Sequence, residues 1–177
     1  ELPLGVSKEE TTIDPPAAPN GINQTLVSAR IAFIVVDTTP SGGSDDAQIK
    51  SDLEAMGHTV TYVAHNNINL TTFDNNYDLA IVSESASSTT IGTSLTAWGQ
   101  PIGTMERGLL DDFGMGGGQS QITISQIKIT NSSSLLAGGY ANGNQTLSGS
   151  VGNATTSGLA SGAEVIATWP NNNTRSI

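Results

Sequence analysis

"ARIAFIVVDTTPSGGSDDAQIKSDLEAMGHTVTYVAH", residues 29 to 65, decides the fold. Ala29 to Asp37 is an apolar, β-branched run that closes on an acid. A strand buried on both faces of a parallel sheet reads this way. "TTPSGGS" is a loop. Ser44 or Asp45 then caps a helix with an approximate apolar face at Ala47, Ile49, Leu53 and Met56, and Gly57 stops it. "TVTYVAH" is a second strand. A strand, a helix and a strand within so short a stretch require a right-handed crossover between parallel neighbours.

The pattern repeats downstream. "NNINLTTFDNN" is a connection with room for one helical turn, and "YDLAIVSES" is a third strand. "SSTTIGTSLTAWGQ" reads as a weaker helix, "PIGTME" as a short fourth strand, and "RGLLDDFGM" as a further turn or short helix. Alternation of strands and helices predicts an α/β domain of flavodoxin-like type, with strand order 2-1-3-4-5. After Gly116 the grammar changes. Ile122, Ile124, Ile127 and Ile129 alternate with polar residues, and "NQTLSGSVGN" and "AEVIATWP" are short strand candidates. The division expected is an extended, Pro-rich arm over 1–28 and an α/β domain over 29–177, of which 116–177 is β-rich. No capping element follows the last of these strands, so the natural domain is expected to run past Ile177. In the arm, Pro15, Pro16 and Pro19 fix φ and remove donors, while "ELPLGV" and "INQTLVS" retain apolar residues for docking on a neighbour.

Composition narrows the partners. The net charge is −10, and charged residues make up only 12% of the chain. Such a surface repels nucleic-acid phosphates and anionic lipid. Cysteine is absent, which removes disulfides, thiolate metal sites and a cysteine nucleophile. The longest apolar run, Ile31 to Val36, has strand length and falls far short of the ~20 residues that span a bilayer. No leader segment is visible, so the chain reads as mature or never exported. Asn-x-Ser/Thr acceptors begin at Asn23, Asn69, Asn131, Asn144, Asn153 and Asn172. With abundant Ser, Thr and Gly they point to an extracellular or cell-surface protein that carries glycans.

"RIAFIVVD", "DDAQIKSDLEAMGHTVTYV", "YDLAIVSESASSTTIG" and "PIGTMERGLLDDFGM" together resemble the class I glutamine-amidotransferase-like superfamily, in its divergent branch near trehalose-utilisation-type proteins. The likeness covers residues 30 to 115, about half the chain. It implies a cysteine nucleophile at the third-strand corner, with a histidine and an acid later in the chain. Here Ser83-Glu84-Ser85 stands at that corner, and no histidine follows His65. The resemblance therefore implies a member without its catalytic triad.

The candidate sites follow from the strand ends. Asp37, Glu84 and Glu106 each close a predicted parallel strand and are expected at the carboxyl edge of the sheet, where such folds bind ligands. Three carboxylates there could hold a hard cation, or a pair could act as acid and base. The bland alternative is that they accept hydrogen bonds from loop amides. Ser83 or Ser85 as nucleophile needs a base within reach. The G-x-S-x-G elbow is missing, and His65 is expected two strands away. Thr38, Thr39, Ser41 and Ser44 with Gly42 and Gly43 sit where a phosphate loop would be, but Asp45 and Asp46 at the helix start oppose an anion. Trp98 and Trp169 read as core or interface packing rather than sugar platforms.

These readings converge on a non-catalytic extracellular structural module, a glycosylated subunit of a surface assembly or filament. It would self-associate through its arm and sheet edges, as a homo-oligomer or larger, with no cofactor and no metal. The alternatives are a carbohydrate- or cation-binding module at the carboxyl edge and a degenerate serine hydrolase.

Overall fold

The structure is a computed structural model that describes residues 28–170 and 172–176. The expected arm therefore lies, except for Ser28, outside the described residues, as does Asn23.

Strand β1 (Arg30–Val35) is the hydrophobic centre of the first layer. Its five residues Ile31 to Val35 are all buried, because both faces of the strand are covered. Ala32 and Ile34 point to one side, into a cluster with Ala80, Val82, Phe73, Ile91, Leu95, Trp98 and Leu109. Ile31, Phe33 and Val35 point to the other, with Val60 and the partly buried Ile49 and Leu53. Period-two alternation along one strand thus builds two cores.

Helix α1 (Asp45–Ala55) follows, with Ser44 as N-cap: its hydroxyl accepts from the Ala47 amide at 3.3 Å. The helix covers its face only shallowly. None of its residues is fully buried, and Met56, expected on the apolar face, is 57% exposed just past the helix end. The remaining elements of this layer are β2 (Thr59–Ala64), α2 (Leu70–Asn76), β3 (Leu79–Val82), α3 (Ser88–Ile91) and β4 (Ile102–Thr104). All ladders are parallel, and the order is β2-β1-β3-β4. The helix predicted over 87–100 is one turn long. Gly92 ends it with φ of 46°, and the Ser/Thr-rich chain continues as turns.

A 3₁₀ turn (Arg107–Leu109) leads out of this layer, and the chain changes character at Gly117. Strand β5 (Gly117–Ile129) pairs antiparallel with β6 (Gly143–Ser157), and β7 (Ala167–Trp169) and β8 (Asn172–Ser176) complete a separate antiparallel sheet. Each of these strands pairs with two others, so the ladders close on themselves. The protein is thus a mixed α/β structure. Among the described residues the parallel sheet has no fifth strand. The segment that would supply it alternates isoleucine with polar residues, and a strand buried on both faces needs a continuous apolar run. The second sheet has its own small cluster of Ile129, Ala137 and Ala167, with Ile127 and Ile166 against it. No described helix is long and apolar enough to cross a membrane.

Candidate functional site

Strand order reverses between β1 and β3: from β1 the chain steps outward to β2, then crosses back to β3. An open α/β sheet has its natural crevice at the carboxyl end of such a switch point. An open cleft of about 780 Å³ lies there, with Ser44, Asp45, Asp46, Gln48 and Ile49 on the α1 side. Ser83, Glu84 and Ser85 line the β3 side, and Met105 adds to the wall after β4.

The β3 corner is built by backbone first. The Ser83 amide continues the parallel ladder to the Ile34 carbonyl at 2.9 Å, and the Ala86 amide turns back to the Ser83 carbonyl at 3.2 Å. Ser83 is only 3% exposed, so its hydroxyl needs partners inside the protein. It finds two: it donates to Asp46 Oδ1 and accepts from the Ser85 amide at 3.0 Å. The Ser85 hydroxyl donates to Asp46 Oδ2 at 2.7 Å and accepts from the Val36 amide at 3.4 Å. One carboxylate in the first turn of α1 therefore ties down both hydroxyls of the corner. The amide-rich N-terminus of the helix favours a negative charge at that position.

Asp46 is the residue that reading along the chain misses, since at the helix start it counts only as a charge that opposes an anion. One signal was present: in a βαβ unit the first helix begins at the carboxyl edge, beside the corner of the next parallel strand.

His65 comes closer to the corner than the strand order suggested. Its amide bonds the Val35 carbonyl at 2.9 Å, and its Nδ1 accepts from the Ser87 amide at 2.9 Å. That places the neutral ring's proton on Nε2. Among the described residues no hydrogen bond joins His65 to Ser83 or Ser85. Its accepting nitrogen holds the loop, not a nucleophile.

Of the three strand-end carboxylates, only Glu84 lines the cleft, and it is exposed. Asp37 accepts from the Thr39 amide at 2.8 Å and the Thr39 hydroxyl at 3.0 Å. Glu106 caps the 3₁₀ turn through the Gly108 amide at 2.8 Å. Both side chains serve the turns in which they stand. Among the described residues no three His, Cys, Asp or Glu side chains gather as a metal-holding group. The loop over 38–43 contributes nothing to the cleft, and the acidic lining disfavours phosphate.

Trp98 packs in the core, edge-on to Phe73 at 5.4 Å. Trp169 is partly buried in β7. Among the acceptor asparagines, Asn69 caps α2 by accepting from the Thr71 amide at 3.0 Å. Asn131 donates to Glu164 at 2.5 Å and accepts from the Ser133 amide at 3.1 Å. Asn144 is exposed on β6, Asn153 lies on the same strand, and Asn172 opens β8.

The chain matches no known family, no curated protein and no solved structure.

Proposed function

We propose that the chain is a non-catalytic extracellular module of a surface assembly or filament. It carries glycans and self-associates through its N-terminal arm and sheet edges. The observation that supports this reading most is the double hydrogen bond from Ser83 and Ser85 to Asp46. A serine nucleophile needs a base that removes its proton and an open lone pair for attack. Here the buried hydroxyl gives its proton to a carboxylate, with no imidazole to take it, and one of its two lone pairs to the Ser85 amide. A carboxylate with no imidazole between it and the serine is a poor base at neutral pH. The order β2-β1-β3-β4 and the occupied corner suit a flavodoxin-like, glutamine-amidotransferase-like member that has lost its triad.

Electron microscopy of the native protein, with intact mass on the same sample, tests this. Regular filaments or sheets, with mass above 18.2 kDa in hexose steps, are the expected result. Dispersed, unmodified monomers would remove the reading.

A second reading is favoured by one observation, the cleft at the switch point. Its exposed Asp45, Gln48 and Glu84 suit a neutral polyol or sugar. A sugar-dependent rise in melting temperature that Glu84→Ala abolishes would support it; no rise would dismiss it.

A further inference from the structure

Sheet edges are where a second chain adds a strand, and proteins that avoid this guard them with charge or proline. The β5–β6 ribbon is almost bare of both guards. Across Gly117–Ile129 and Gly143–Ser157 the sole ionisable side chain is Lys128, and there is no proline. Among the described residues the outer edge of β5 is paired only at its end, where Lys128 meets Thr168 and Ile129 meets Ala167 of β7. β7 stops at Trp169 because Pro170 follows, and proline cannot donate to a ladder. Among the described residues, the lane beside 118–127 of β5 has no strand in it. The opposite edge, along β6, is less suited. Four of its residues, Leu147 to Ser150, stand opposite Ser125 alone, so its ladder positions are out of step.

We propose that Leu2 to Val6 of a second copy fills the lane beside β5, in line with β7. This inference rests on the assembly reading above and names its contact. The arm has the length: the 27 residues before Ser28 reach roughly 90 Å when extended. A domain of this size is less than half as wide. The arm also has the parity. Leu2, Leu4 and Val6 recur at period two, as Ile122 and Ile124 do on β5. In an antiparallel strand alternate residues turn both N–H and C=O to the same neighbour. If Leu2, Leu4 and Val6 bond to β5, Pro3 turns outward, where its missing N–H costs no hydrogen bond. Pro3 then also guards the outer side, so one strand is added and growth stops there. Antiparallel addition of the uncharged 118–127 stretch of β5 to the same stretch of a second copy would lack such a stop.

The absence of cysteine makes the test clean. Full-length chains carrying Leu4→Cys are mixed with chains carrying Ile122→Cys, Ile124→Cys or Gln126→Cys, and Gln145→Cys on β6 serves as control. Folding is checked by circular dichroism, and disulfides are read on non-reducing gels. The expected result is an inter-chain disulfide from Leu4→Cys to at least one β5 position, at least tenfold above the β6 control. Particles that form with no such preference would overturn the lane while leaving assembly standing. Failure of the unmodified chain to form particles would remove both. A chain carrying both Leu4→Cys and Ile124→Cys distinguishes the donor, and a disulfide that forms only within that chain would overturn the second copy as donor. Without any cross-link, parity gives a further readout. Leu4→Pro should lower the assembled fraction at least tenfold, and Gly5→Pro should leave it unchanged. Equal effects would overturn the register.

Discussion

Replacing Asp46 by alanine strikes the corner at its one shared acceptor. The Ser83 hydroxyl is 3% exposed and would keep the Ser85 amide as donor to it while losing the acceptor for its own proton. An orphaned buried donor costs about 1–3 kcal/mol. The Ser85 hydroxyl is exposed and recovers water, so its loss adds about 0.5–1 kcal/mol. Loss of negative charge in the first turn of α1 adds about 0.3–1 kcal/mol. The sum is about 2–5 kcal/mol, or roughly 4–20 °C in melting temperature for a domain of this length. Urea denaturation of Asp46→Ala, Ser83→Ala and the double variant isolates the bond. Ser83→Ala removes the donor with the acceptor still satisfied by Ser85, so it should cost less than Asp46→Ala. The double variant should cost less than the sum of the singles by about 1 kcal/mol or more. Strict additivity, or an Asp46→Ala cost below about 0.5 kcal/mol, would refute the claim that this carboxylate holds the corner. A serine-reactive probe supplies the functional counterpart. The wild type should stay unlabelled, and labelling at Ser83 would refute the non-catalytic reading.

Three further outcomes follow from the packing and the charges. Gly108→Ala should destabilise by about 1–3 kcal/mol, because its Cβ would stand 2.5 Å from Ser88 Oγ and 2.7 Å from Ser88 Cβ. Gly99→Ala, with nothing within 4 Å, is the neutral control in the same melt. Phe33→Ala empties a fully buried ring site on β1 and should cost about 3–5 kcal/mol by denaturant titration. Asp78 is held down to about 2 by the Arg30 side chain, which bonds it at 2.6 and 3.1 Å. The folded-state value lies below the unfolded one, so its contribution is present above about pH 4. It fades as pH falls through that range toward 2. Asp78→Asn should flatten the stability–pH curve in that window and leave its shape above pH 5 unchanged.

Much of the parallel layer was legible because its signals are local and repeated. A run such as Ile31 to Val36 can hardly be anything but a strand covered twice, and Gly57 closes α1 as a turn residue should. The order of β2, β1 and β3 follows from two crossovers of one hand. The 87–100 segment was misread because serine and threonine are neutral toward helix, and only Gly92's backbone stops it after one turn. Asp37 and Glu106 lie two residues past the ends of β1 and β4. Position in the chain could not say whether a strand-end carboxylate faces a ligand or its own turn, since two residues' difference in loop geometry decides it. Asp46 was invisible as a site residue for the opposite reason. Its partners, Ser83 and Ser85, lie 37 and 39 positions away and meet it only across the switch point.

By itself the sequence determined that the chain builds a buried parallel sheet, changes to period-two strands after Gly116, and holds neither thiol nor a histidine beyond His65. Those are consequences of hydrophobic period and residue inventory, which act at short range. The tertiary structure alone decided that the corner serines are spent on a helix-terminal carboxylate and that, among the described residues, no strand lies beside 118–127 of β5. Both depend on which distant segments become neighbours, and packing of the whole chain sets that.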